Sequence, residues 1–425
     1  MTESHQVTVQ RLHRLISATV TVPGSKSLTN RALVCAALAT GPSKLFNVAS
    51  GDDTLAMIDG LTAMGARCIT KSSEVEIVTP IDRTWGDDVT VHANLAGTTS
   101  RFLTAVAALR TGCTTVTGNR ELLRRPMAPL LESLSLLGAQ ITSLEDPGHL
   151  PVRVCGGYQT GHELTVRGDT SSQFVTALLL IGPALVNGLK IKVHGQIVSE
   201  PYLAMTCAVM NDFAAQVDRV GIDLFEVRSQ SYSGRHYVVE PDASSASYPL
   251  AAAAIVGGSV RVLSVGASSV QGDVRFVDIL RDMGCSVGSA DTELTVSRSA
   301  QSELVGIEIN MASMSDLVPS VAVVAMYATT PTRISGVGFI RHKESDRLED
   351  LAIELRKLGG EIEVTSDGLV IHPSQVHGGV VDPHHDHRIA MALSLVGLTC
   401  DGVVITNSDV VSKSWPEFWT MLRAL

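Results

Sequence analysis

“NRALVCAALATG” at residues 30–41 and “SRFLTAVAALRTG” at residues 100–112 are two copies of one pattern, a run of small apolar residues led by an arginine and closed by Thr-Gly. Similar helices follow in “SSQFVTALLL”, “SASYPLAAAAIVGG”, “LVPSVAVVAMYA” and “DHRIAMALSLVGL”. With Arg31, Arg101, Gln173, Tyr248, Pro319 and Arg388 as landmarks, the copies lie 70, 72, 75, 71 and 69 residues apart. Six repeats of that length account for all 425 residues, and a fixed period marks a chain assembled from repeated supersecondary units.

A second helix recurs between these copies, in “MIDGLTAMGARCI”, “LLESLSLLGAQI”, “FVDILRDMGCSV”, “LAIELRKLGGEI” and, more weakly, “AVMNDFAAQVDRV”. Apolar residues at i, i+3, i+4 and i+7 make it amphipathic, and the closing glycine suits a left-handed C-cap. Alternating stretches such as “ITKSSEVEIVTP” and “IEVTSDGLVIHP” then read as strand hairpins. Each repeat is two helices and several strands, so the fold class is α/β, with two similar domains of three repeats each. The sixth copy stops after “PEFWTMLRAL”, and “HQVTVQ” and “ISATVTV” at the N-terminus supply its missing strands. Both chain ends therefore fall in one domain, 1–23 plus 242–425, and 24–241 forms the other. Crossovers near “TVPGS” and “VEPDASS” are expected to act as hinges.

The length suits two or three domains. A net charge of -10 argues against a broad nucleic-acid footprint, so an anionic ligand must be held by a local cluster of cations. Seven cysteines without a CxxC pair read as reduced cytoplasmic thiols. The N-terminus has no apolar signal core, and the longest apolar run, “FVTALLLIGPALV”, is too short to span a bilayer.

“VPGSKSLTNRAL” (22–33) begins a helix near Ser27 whose first turns hold Lys26 and Arg31 and no acid. Cations are disfavoured there by the helix dipole. It is not a phosphate loop, because Ser25 stands where glycine must precede the lysine. The oddity recurs. Arg125 precedes Pro126, read as a first helical residue, and Lys413 precedes “SWPE”, read as a Ser414–Glu417 capping box. Lys343, Glu344 and Arg347 surround a start in “KESDRL”, Arg388 follows Asp386 and His387 in “DHR”, and Thr170, Ser171, Ser172 and Gln173 open “DTSSQF”. Helix N–H groups with nearby cations make anion sites, so the expected ligand is multiply anionic. Glu344 lies between Lys343 and Arg347, and Asp316 opens the helix “SDLVPSVAVVAM”; a carboxylate inside a cationic pocket stays ionised, ready to accept a proton from a hydroxyl. His384, His385 and His387 in “DPHHDHR” have no second His or Cys cluster of metal-ligand spacing. No metal is expected, and His387 is read as orienting the pocket or Arg388.

Taken together, “PGSKSLTNRAL”, “AGTTSRFL”, “RRPMAPLL”, “SSQF”, “SEPY”, “DASSASYPLAAAA”, “KESDRL”, “DHRIAMAL” and “KSWPEF” resemble the 5-enolpyruvylshikimate-3-phosphate synthase family, in that family's order and over nearly the whole chain. The resemblance implies two three-repeat domains with a substrate cleft between them. It also implies transfer of the enolpyruvyl group of phosphoenolpyruvate to the 5-hydroxyl of shikimate 3-phosphate through a tetrahedral intermediate, with release of phosphate, on the route to chorismate and the aromatic amino acids. No cofactor is implied, and a cytoplasmic monomer is expected.

Carried over motif by motif, the resemblance assigns shikimate 3-phosphate to Lys26, Ser27, Arg31, Ser171, Ser172, Gln173, Ser199, Tyr202, Asp316 and Lys343. Phosphoenolpyruvate falls to Lys26, Gly97, Arg125, Gln173, Arg347, Arg388 and Lys413. Asp316 is the implied base, and Glu344 with Lys26 the implied proton donor. Unliganded, the gathered cations are expected to repel one another, so that ligand drives closure. Leu95, Phe102 and Phe339 depart from the common pattern, which leaves the response to glyphosate open. The alternative, a UDP-N-acetylglucosamine enolpyruvyl transferase, needs a cysteine where Arg120 stands. RNA 3'-phosphate cyclase needs nucleotide chemistry for which no motif is present. A polyanion-binding scaffold conflicts with the net negative charge.

Overall fold

The computed structural model describes residues 5–157 and 163–425, so Met1–Ser4 of the N-terminal reading lie outside it. The chain divides into two compact domains, Gly24–Val239 and Met1–Pro23 with Glu240–Leu425. Each has its own apolar core.

The described residues form six sheets, five of four strands and one of three. The four-stranded sheets share one order: a parallel edge strand, a central strand, then both strands of an antiparallel hairpin. In the second repeat these are Val89–His92, Cys113–Thr117, Val152–Cys155 and Gln140–Ser143. The parallel pair flanks the inner helix Gly97–Ala107, an ordinary β-α-β crossover.

The two chain crossovers cut that unit. The strand before the first inner helix, Ile16–Val20, pairs with Gly258–Leu263 in the fourth sheet. The strand before the fourth inner helix, His236–Val238, pairs with Ser43–Phe46 in the first. The N-terminal reading therefore needs correction. Only “HQVTVQ” completes the sixth sheet, where Val7–Thr8 lies antiparallel to Val403–Ile405; “ISATVTV” serves the fourth. An edge strand is chosen by the free edge it meets, and alternation alone does not say which edge that is.

The inner helices Lys26–Ala37, Gly97–Ala107 and Ser172–Ile181 pack together in one domain, and Ala243–Val256, Val318–Ala325 and His387–Val396 in the other. They are buried on nearly every side, as helices without a polar face must be. Their small residues let three of them share one core, and Lys26, Ser27, Gly97, Ser171, Ser172, Gln173, Asp316 and Arg388 sit on or just before their first turns.

The outer helices end as their glycines suggest. Gly65, Gly138, Gly284 and Gly359 follow them at φ 105°, 105°, 103° and 90°. In the third repeat Ala214 holds that place at φ 65°, where an L side chain costs roughly 1–2 kcal/mol. Ala214→Gly is expected to stabilise its domain by about 1 kcal/mol, less glycine's own entropic cost, read as a higher urea midpoint at unchanged slope.

Two further expectations fail locally. Pro126 is not in a helix; the helix is Ala128–Leu136, with Pro129 in its first turn. Ser414 and Glu417 form no capping box: Lys413 closes a 3₁₀ turn, and the last helix begins at Phe418 without a side-chain cap. The reading of seven reduced thiols is also overturned. Cys113 and Cys155 are directly opposed in the antiparallel pair of the second sheet, Cα atoms 4.1 Å apart, and are joined by a disulfide. Their separation of 42 residues hides the pairing from any motif search. Among the described residues no helix is long and apolar enough to cross a membrane.

Candidate active site

In the domain 24–239 the starts of all three inner helices lack acidic residues in the first turn. Ser25 caps the first, accepting from the Leu28 backbone N–H. Lys26 Nζ meets Asp53 Oδ2 at 2.9 Å, an acid from the next helix, Asp52–Ala63. Arg31 is buried with neutral partners: Nε donates to Thr206 Oγ1 at 2.9 Å, Nη1 to the Ser27 carbonyl at 2.8 Å and Nη2 to the Tyr202 carbonyl at 3.2 Å. Its guanidinium also lies 5.6 Å from the Phe102 ring centroid and 5.9 Å from that of Tyr202. Burial lowers its pKa to about 10, which leaves it charged at neutral pH. Ser199, just before the helix Pro201–Asp212, is held at φ 55°.

Gly97 explains itself by geometry. A Cβ there would sit 2.4 Å from Arg125 Nη1 and 2.5 Å from Arg101 Nη1, so both guanidinium groups close over this helix start. Arg125 is buried, and its Nε and Nη1 have no hydrogen-bond partner. Gln173 Nε2 donates to Thr98 Oγ1 at 3.1 Å, while its buried Oε1 is unpartnered. Ser171 caps the same helix, accepting from the Gln173 backbone N–H, and Ser172 is buried beside it. Buried donors left unmade are costly, so this is a place prepared for an acceptor-rich guest.

The other domain gathers charges of both signs. Arg347 is the hub: Nε donates to Asp386 Oδ2 at 2.7 Å, Nη1 to Asp316 Oδ1 at 3.0 Å and Nη2 to Glu344 Oε2 at 2.6 Å. Asp316 also receives Arg388 Nη2 at 2.8 Å and Lys343 Nζ at 3.3 Å. Lys413 Nζ lies 3.9 Å from Glu344. Burial alone would raise the Asp316 pKa, but Arg388, Lys343 and Arg347 together hold it well below the ordinary carboxylate range. Burial opposes the charge on Arg347, yet Asp386, Glu344 and Asp316 raise its pKa further above normal.

The expected mutual repulsion of these cations is therefore corrected. Three carboxylates, Asp316, Glu344 and Asp386, are interleaved among Lys343, Arg347, Arg388 and Lys413. Phe339 brings its ring 5.9 Å from Lys343 Nζ, a cation–π contact. His387 is buried with Nδ1 3.9 Å from Asp386. His384 is engaged by Glu354 at 2.8 Å and Asp350 at 3.8 Å.

Sequence reading missed Asp53, Arg101 and Asp386. Arg101 had a signal, since it occupies the position of Arg31 in the repeat alignment. Asp386 had one as well, a cap residue in “DHR”; Asp53 had none, because its partner lies 27 residues away.

Residues 11–422 match the family described as EPSP synthase (3-phosphoshikimate 1-carboxyvinyltransferase). Enzymes named 3-phosphoshikimate 1-carboxyvinyltransferase are 40% identical over 410 residues in Methanoculleus marisnigri, covering 96% of each chain, and 41% identical over 416 residues in Methanosphaerula palustris, covering 97% of each. The solved structure of EPSP synthase from Acinetobacter baumannii superposes with TM-score 0.80 at 25% identity, covering 99% of this chain and 97% of that one.

Proposed function

The chain belongs to the EPSP synthase family, and on that premise we propose how its residues divide the work. The enzyme transfers the enolpyruvyl group of phosphoenolpyruvate to shikimate 3-phosphate in aromatic biosynthesis. One observation carries the residue assignment: Lys343, Arg347, Arg388 and Lys413, from three separate segments of the chain, converge on Asp316 and Glu344. Two anionic substrates need such cations, and the interleaved acids are the groups that can move protons.

In this reading phosphoenolpyruvate is assigned to Lys26, Gly97, Arg125, Gln173, Arg347, Arg388 and Lys413. Arg125 suits a phosphate or carboxylate because two of its nitrogens already await acceptors. Lys26, Ser27, Arg31, Ser171, Ser172, Gln173, Ser199 and Tyr202, with Lys343 and Asp316, take shikimate 3-phosphate. Asp316 removes the proton of the attacking 5-hydroxyl. Glu344 and Lys26 deliver a proton to the methylene carbon; the tetrahedral intermediate then loses phosphate as the methyl carbon so formed gives a proton back, which restores the enol double bond. Asp53 aims Lys26, and Asp386 aims Arg347.

The direct test is phosphate release from phosphoenolpyruvate. Release is expected with shikimate 3-phosphate and not with UDP-N-acetylglucosamine; the reverse outcome would move the chain to the other transferase class.

A further inference from the structure

His384 and His385 both adopt left-handed backbone, φ 51° and 60°. Residues with a Cβ are uncommon there, and two in succession must be held from outside. The holder is Glu354, fully buried in the helix Glu349–Lys357. Its Oε2 accepts the Asp382 backbone N–H at 3.0 Å, and its Oε1 meets His384 Nε2 at 2.8 Å. Lys357 Nζ donates to both oxygens at 2.8 Å, so a carboxylate that would be costly to bury alone is satisfied. Asp350 of the same helix lies 3.8 Å from the other ring nitrogen of His384. The constrained pair runs directly into Asp386, which caps the helix His387–Val396 through the Arg388 backbone N–H at 2.9 Å and grips Arg347 Nε at 2.7 Å.

We infer that Glu354 is a positioning residue for the reaction: by pinning the turn 382–385 it fixes Asp386, and through Asp386 the placement of Arg347 and Arg388. The inference rests on the assignment of those two arginines to phosphoenolpyruvate. Glu354 touches neither arginine, so its effect passes entirely through the backbone of the turn.

Steady-state kinetics of the full chain test this. Glu354→Gln is expected to raise KM for phosphoenolpyruvate about tenfold while KM for shikimate 3-phosphate stays within about twofold, since misplacing a binding group by about 1 Å suffices for such losses. Arg388→Lys separates the two layers of argument. No rise in the phosphoenolpyruvate KM there sinks the arginine assignment; a rise there with none in Glu354→Gln overturns the role of Glu354 alone.

His385→Gly gives the second arm. His385 is exposed, and glycine takes left-handed backbone freely, so in that background Glu354→Gln should raise the same KM by less than about threefold. An equal rise with and without the glycine overturns the inference, because the turn's strain would then play no part. Should circular dichroism show Glu354→Gln unfolded, His384→Ala removes the anchor from the turn's side and is expected to give the same split between the two KM values. Absence of that split overturns the inference.

Discussion

Asp316→Ala is expected still to bind shikimate 3-phosphate in calorimetry while losing about 10²–10⁴ in turnover, the range for a lost general base. The carboxylate lies against Arg388, Arg347 and Lys343 at 2.8, 3.0 and 3.3 Å. Those cations outweigh burial and hold its pKa well below the ordinary range, so it is ionised throughout neutral pH. The same stabilisation makes it a weak base while the site is empty. On the proposed assignment, phosphoenolpyruvate draws on Arg347 and Arg388, which should make Asp316 more basic when that substrate is bound. Because the free carboxylate titrates below about pH 4, the profile of kcat/KM should show no acidic limb from Asp316 above that value. Turnover of Asp316→Ala near that of the parent enzyme would remove Asp316 from the chemistry.

The parts of this molecule that could be read in advance are those encoded over a few residues. The small-residue helices announced the inner cores, and the Leu-Gly endings announced left-handed caps at Gly65, Gly138, Gly284 and Gly359. Pairings made at a distance could not be read. Ile16–Val20 finds its edge beside Gly258–Leu263, and Cys113 meets Cys155 only because two strands of one sheet bring them level. Local patterns also misled where tertiary contacts decide. “SWPE” has the spacing of a capping box, yet Trp415 and Phe418 are buried and pack edge to face, and the helix begins only at Phe418.

The candidate site divides in the same way. Its cations were visible because they recur in short segments read as helix starts, such as “PGSKS”, “RRP”, “KESDR” and “DHR”. Their counter-ions were not, since Asp53 and Asp386 reach Lys26 and Arg347 from other segments. A sequence of cations reads as a repelling cluster; folded, Lys343, Arg347, Arg388 and Lys413 alternate with Asp316, Glu344 and Asp386, and Lys26 meets Asp53.

Arg347→Met should show how much that network depends on one side chain, with an expected loss of about 3–5 kcal/mol in unfolding free energy near neutral pH, the range for a buried ion pair deprived of one partner. Arg347 is almost wholly buried and donates to three carboxylates, of which Asp386 is completely inaccessible to solvent. The sign with pH follows from Asp316. Its folded pKa is depressed, so its stabilising contribution is complete above the unfolded carboxylate value of about 4 and is lost only as pH falls through the folded value. Without the guanidinium, the clustered carboxylates disfavour one another's ionisation and their pKa values rise. Folding of the variant then takes up protons, and its deficit should narrow as pH falls from about 7 to about 5. Urea titrations of both proteins at the two pH values measure this directly. Arg347→Lys keeps the charge but not the planar fork that reaches three acceptors at once, so it should recover part of the stability and little of the phosphoenolpyruvate affinity. A deficit in Arg347→Met that stays constant across the pH range would place the cost in lost packing and deny Arg347 its part as the electrostatic centre of the site.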